Sequence, residues 1–193
     1  YFIFGWHHLT QFVTADEHYW VYERIPQYWN ALAEHKWTKT FINDKPGVTL
    51  ALVSGIATLP YPDTEKHCLE KDDRTLDCDS EMTAGMYLAF RLPILITNGL
   101  FLILLFFLIE RLVSSRVALF TTILTGLSPI LLGSSQIINP DSLLWSCSML
   151  ALFSYFSLLR FEERKYLFLT ILFTALAILS KYVAAMGFVA YLL

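Results

Sequence analysis

LPILITNGLFLILLFFLI, residues 92–109, runs for eighteen residues without a charge. Extended back by one turn to Met86, it predicts a helix of about 36 Å, long enough to cross the roughly 30 Å hydrocarbon layer of a bilayer. Further apolar runs follow at 117–138 and 142–159, and a shorter one at 166–180 ends at Lys181. In a chain of 193 residues that is 55% hydrophobic, runs of this length exceed what the core of a soluble domain needs. The predicted fold class is all-α, a polytopic transmembrane helical bundle with helices over 86–109, 117–135, 142–159 and 166–180.

The loops between these runs predict an orientation. Residues 110–116 and 160–165 carry two and three basic residues, whereas Asn139-Pro140-Asp141 carries none. Short basic loops stay cytoplasmic, so 14–85, 139–141 and the Lys181 end of the fourth run are expected on the extracytoplasmic side. The acidity of 14–85, thirteen acids against seven bases, does not oppose this and argues against a nucleic-acid surface. Tyr1 is not Met, and the sequence is apolar from Tyr182 to its last residue, so the chain reads as a fragment. Residues 1–13 lack a basic start and a small-residue cleavage site and read as the tail of a first membrane helix. The expected location is an integral, multi-pass membrane protein, in the plasma (inner) membrane if prokaryotic.

Within 14–85, Val21, Ile25, Tyr28, Trp29 and Leu32 recur at helical spacing, with Glu23, Arg24, Gln27, Asn30 and Glu34 between them. This pattern predicts an amphipathic helix at the membrane surface, kinked or divided at Pro26. Residues 48–59 are too short to span and predict a second surface or re-entrant helix. Residues 60–80 read as a polar, Pro-punctuated loop insertion. Cys68 and Cys78 flank its acidic part, and a bridge between them or two free thiols are both compatible with the spacing.

Candidate chemistry gathers on the extracytoplasmic face. Asp16 and Glu17 are adjacent, so on a helix they diverge by about 100° and one of them faces any given atom. A carboxylate there serves either as a helix cap or as a general base. Lys45, in Asn43-Asp44-Lys45-Pro46, is either a turn residue among headgroups or a phosphate ligand. Arg91 opens the first full span, where snorkelling is the ordinary explanation. Lys181, a cation between apolar segments, calls for a partner or a polar cavity. Asp141 begins the third run, as a cap or as a site-lining group. His7, His8, His18, His35 and His67 show no metal-ligand spacing.

These pieces have an order: the acidic pair Asp16-Glu17, the Lys45-Pro46 turn, Phe90-Arg91-Leu92-Pro93, Pro140-Asp141, and Leu179-Ser180-Lys181-Tyr182. In that order they resemble the GT-C glycosyltransferases, specifically the dolichyl-phosphate-mannose-protein mannosyltransferase and aminoarabinose transferase group. The resemblance implies that 1–193 is the N-terminal part of such a module, with 14–85 as an extracytoplasmic loop and 86–193 as transmembrane helices. It implies transfer of a sugar from a polyprenyl-phosphate-linked donor to the hydroxyl of a protein, lipid or glycan acceptor. Asp16 inherits the role of base, with Glu17 beside it. Lys45, Lys181 and Arg91 become donor-phosphate ligands, and His18, Asp44, Asp141 and Tyr182 line the site. Membrane lipid is an expected partner and nucleic acid is not. No metal is assigned, because the family is metal-variable and a divalent ion stays open. Gly47 and Tyr19 stand where aminoarabinose transferases often carry Pro and Arg, which leaves the substrate subgroup open. The rival reading is a non-enzymatic polytopic protein such as a transporter module, with Asp16 and Lys181 as a coupling pair. A third is a truncated transferase inactive by itself.

Overall fold

The computed structural model describes residues 1–10, 13–41, 46–61, 68–70, 76–78 and 80–188. Asp44 and Lys45 lie outside them. The described residues form helices α1 (Phe2–His8), α2 (Ala15–Tyr19), α3 (Ile25–Ala33), α4 (Val48–Ser54), α5 (Ser80–Leu112), α6 (Ser115–Gly126), α7 (Pro129–Ser134), α8 (Asp141–Phe161) and α9 (Arg164–Ser180). One antiparallel hairpin, β1 (Cys68–Glu70) and β2 (Leu76–Cys78), lies within the stretch expected to be loop. Its register sets Cys68 opposite Cys78 along the backbone. The bridge considered for these two concerns side chains outside the described ones.

Two helices, Ala84–Leu112 and Asp141–Phe161, are long and apolar enough to cross a membrane. α9 has 17 residues, a length of about 26 Å, slightly less than the hydrocarbon thickness. The helix expected over 117–135 is two helices instead. α6 stops at Gly126 and α7 starts at Pro129. Pro129 has no N–H to continue the ladder, and its ring disfavours a helical Ser128, so the rod breaks there.

The bundle is apolar outside and partly polar inside. Leu100, Ile103, Phe107, Phe120, Phe156, Phe168 and Ile171 are exposed, while Asn98, Ser142, Ser146, Ser154, Ser157, Thr170 and Ser180 are buried. That distribution suits lipid: small polar residues let helices approach and hydrogen-bond, and the outer surface has no water to face. Asn98 Nδ2 donates to Ser142 Oγ at 3.1 Å, and Ser146 Oγ donates to Asn98 Oδ1 at 2.6 Å, joining α5 to α8. At the far end of α8, Arg160 donates to the Leu112 carbonyl and Arg111 pairs with Glu163, so the two basic loops meet there.

The surface segment packs on the other end. Residues 15–33 are one continuous helical run, with a wider π turn at Trp20–Arg24. Pro26 accounts for the widening: it cannot donate, and the Ile25 N–H reaches back five residues to the Trp20 carbonyl. The run is not divided. Trp20, Val21, Ile25 and Tyr28 are buried against Leu50, Met86, Phe90 and Leu143. α4 continues as a tighter turn through Gly55–Thr58 and lies between α3 and α5. Trp29 Nε1 donates to the Ala51 carbonyl at 2.8 Å, and Ser54 Oγ to that of Phe90 at 2.6 Å. A methyl group on Gly55 would sit 1.6 Å from Trp29 Nε1, so this contact requires glycine.

Candidate active site

The Thr14-x-x-Glu17 spacing is a capping-box signature, and it decides which carboxylate does what. Thr14 is the N-cap of α2, and Glu17 Oε2 accepts from the Thr14 N–H at 2.7 Å. Glu17 thus takes the capping role considered for the pair, and turns inward. Asp16, one position earlier, stays exposed.

Glu17 meets Arg91 in the interior. Arg91 Nε donates to Glu17 Oε1 at 2.8 Å, and Nη2 to Oε2 at 2.7 Å, a two-pronged pair with both side chains fully buried. The Ile138 N–H also donates to Oε1, at 2.8 Å, and Arg91 Nη1 donates to the Leu9 carbonyl. The structure therefore separates Glu17 and Arg91 from the cavity that Asp16, Asp141, Lys181 and Tyr182 share. Each is committed to the other, because a buried charge without a partner is too costly to keep. Arg91 does not snorkel.

Beside this pair lies an open cavity of about 410 Å³. It is lined by Asp16, Trp20, Pro46, Asn139, Pro140, Asp141, Lys181, Tyr182 and Val183. Segments far apart in sequence converge here because α8 begins and α9 ends at the same end of the bundle. Asn139 Oδ1 accepts from the Asp141 N–H at 2.9 Å, and the Asp141 carboxylate pairs with the Lys181 ammonium. Lys181 is fixed from behind by its neighbour: Ser180 Oγ and Thr49 Oγ1 are 2.5 Å apart, tying the end of α9 to α4. Gly47 lets the chain after Pro46 pass under Trp20, since an added Cβ would stand 2.3 Å from the indole. His18 does not line the cavity and packs at a tilt against Tyr22, with ring centroids 4.6 Å apart.

Of the candidates read from sequence, the structure brings together Asp16, Asp141, Lys181 and Tyr182. Thr49, Asn139 and Ile138 were not singled out by sequence reading. Asn139 had a legible signal, Asn two residues before a helix start, whereas Thr49 and Ile138 contribute through contacts that no local pattern announces. A second cavity, also about 410 Å³, is apolar and lies between α5, α6, α7 and α8, with Phe101, Leu105, Trp145 and Met149 in its wall.

Two apolar helices of membrane length, with a charged cavity where one of them begins and α9 ends, suit a helical membrane protein with a polar site at one end of its bundle. Residues 83–193 match the family model described as dolichyl-phosphate-mannose-protein mannosyltransferase, and this is more than half of the chain. The chain belongs to that family. Arg91, Asp141, Lys181 and Tyr182 fall inside the matched segment, and Asp16 and Glu17 precede it. Comparison with curated proteins gave no match, and comparison with solved structures gave none.

Proposed function

We propose that this chain forms the N-terminal part of a multi-pass membrane glycosyltransferase. It moves a sugar from a polyprenyl-phosphate-linked donor to an acceptor hydroxyl on the extracytoplasmic side. The observation that carries the reading is the single cavity shared by Asp16, Asp141 and Lys181 at the end of the bundle opposite the basic loops. Family membership supplies the reaction class.

The chemistry follows from the residue types. A phosphate is already a good leaving group, so the enzyme must activate a hydroxyl and stabilise charge growing on phosphate. The Asp16 carboxylate takes the hydroxyl proton as the oxygen attacks the anomeric carbon. The bond from that carbon to the phosphate oxygen breaks, its electron pair leaves with the phosphate, and configuration inverts. Lys181, in the cavity wall, is assigned to hold the phosphate, and Lys45, next to cavity-lining Pro46, is assigned the same task. Trp145, in the wall of the apolar cavity, is four residues beyond Asp141, about 6 Å along α8. An apolar surface for the donor's prenyl chain therefore starts one turn from the polar site. Asp44 is assigned to the site's rim, and the acceptor is a hydroxyl of protein, lipid or glycan.

The test is an in vitro transfer assay on the full-length protein in detergent with radiolabelled lipid-linked sugar. Asp16→Asn keeps size and cannot accept the proton, so turnover should fall by about 10²-fold or more with donor binding nearly intact. Lys45→Ala should instead weaken donor binding. Wild-type turnover in Asp16→Asn removes Asp16 as base, and no transfer from any lipid-linked sugar by the wild type removes the transferase reading in favour of a transporter.

A further inference from the structure

We propose that Glu17 and Arg91 are positioning residues: together they form a latch that sets the base Asp16 against the opposite wall of the cavity. This rests on the transferase reading above. Among the described residues, four segments meet at the buried pair: the Leu9 carbonyl, Thr14 to Glu17, Arg91 in α5, and the Ile138 N–H. Two of them adjoin the cavity directly. Glu17 is the residue directly after Asp16, and Ile138 immediately precedes Asn139, Pro140 and Asp141. One carboxylate therefore holds both the base and the wall that carries the partner of Lys181.

A buried ion pair is a poor source of stability, because removing two charges from water offsets most of their attraction. What a bidentate guanidinium-carboxylate contact does supply is orientation, since two parallel hydrogen bonds fix the plane and rotation of both groups. Proton abstraction depends on that placement: an error of about 1 Å in a reacting group can cost roughly 10²-fold in rate. Among the described residues, Arg91 directs three hydrogen bonds at Glu17 and Leu9, and it has no exposed surface. A donor phosphate reaching it would have to enter the interior and break the pair.

The experiment is a double-mutant cycle in the full-length protein, using Glu17→Gln, Arg91→Gln and the double variant. Transfer from a lipid-linked sugar is read as kcat and KM across pH. Each single substitution should lower kcat about 10-fold or more with donor KM within about 2-fold, and the second substitution should add little to the first. The acid limb of the pH profile should not move, because Asp16 remains the base. A large rise in donor KM for Arg91→Gln makes Arg91 a phosphate ligand and overturns the proposal. An acid limb displaced in Glu17→Gln, or fully additive losses, also overturns it. Where Glu17→Gln fails to fold, Arg91→Lys decides: it keeps the charge and loses the fork, so reduced kcat at unchanged KM supports the latch and raised KM refutes it. If the wild type transfers nothing, the transferase reading has failed by itself. The latch is then read by hydrogen exchange at Ile138, which should speed up in Arg91→Lys and would refute the latch if unchanged.

Discussion

The Lys181 ammonium pairs with the Asp141 carboxylate across the cavity mouth, joining the end of α9 to the start of α8. Both side chains are 38% exposed, so the pair contributes about 0–1 kcal/mol to folding. Loss of Lys181 should then register in donor binding more than in stability. Lys181→Ala is expected to raise donor KM by about 10-fold while the unfolding midpoint in detergent stays within a few degrees. A collapse of the midpoint with unchanged KM would make the pair structural.

Asn98 is the polar joint between the two membrane-length helices. Asn98→Leu leaves the hydroxyls of Ser142 and Ser146 without this partner and should cost about 1–3 kcal/mol. Thermal unfolding of the purified protein measures it, and a neutral result would show that these serines find other hydrogen-bond partners.

Gly47→Ala tests how closely the chain passes beneath the cavity wall. The new methyl group meets the Trp20 ring at 2.3 Å, so the indole must move, and Trp20 lines the cavity. Tryptophan fluorescence should shift and transfer should slow. Unchanged emission with full activity would mean that the backbone after Pro46 relaxes instead.

The proposed orientation predicts opposite sidedness for the cavity end of the bundle, where Asp16 lies, and the α8–α9 loop. With the native cysteines replaced, single cysteines at positions 16 and 162 should label from opposite sides of intact cells. Labelling from one side at both positions would end this topology.

Glu163 lies in the α8–α9 loop, where a hydrogen bond from Lys165 and the nearby Arg111 hold its carboxyl below the usual range. A depressed carboxyl stabilises the fold above its ordinary pKa, and that contribution disappears as pH falls through the depressed value. Between about pH 6 and pH 3, the unfolding midpoint of the wild type should therefore fall more steeply than that of Glu163→Gln. Parallel curves would show that this cluster contributes nothing.

The sequence by itself determined the helices, because apolar run length, amphipathic spacing and proline are local properties. Residues 92–109 and the Val21 to Leu32 face were readable, whereas the uncharged run over 117–135 hid the break before Pro129. It also supplied the order of motifs that resembles a family, and the family match bears out that resemblance. What it left ambiguous was the use of charged residues. Asp16 and Glu17 are neighbours with the same chemistry, and sequence could say that they diverge but not which one turns inward. Tertiary structure decided that by placing Arg91 and the Ile138 N–H within reach of Glu17. It likewise gave Lys181 to Asp141 and left Arg91 inside the protein. The physical reason is that a side chain's helical position follows from its neighbours in the chain. The partner of a charge depends on which distant segments the packed bundle brings to the same end.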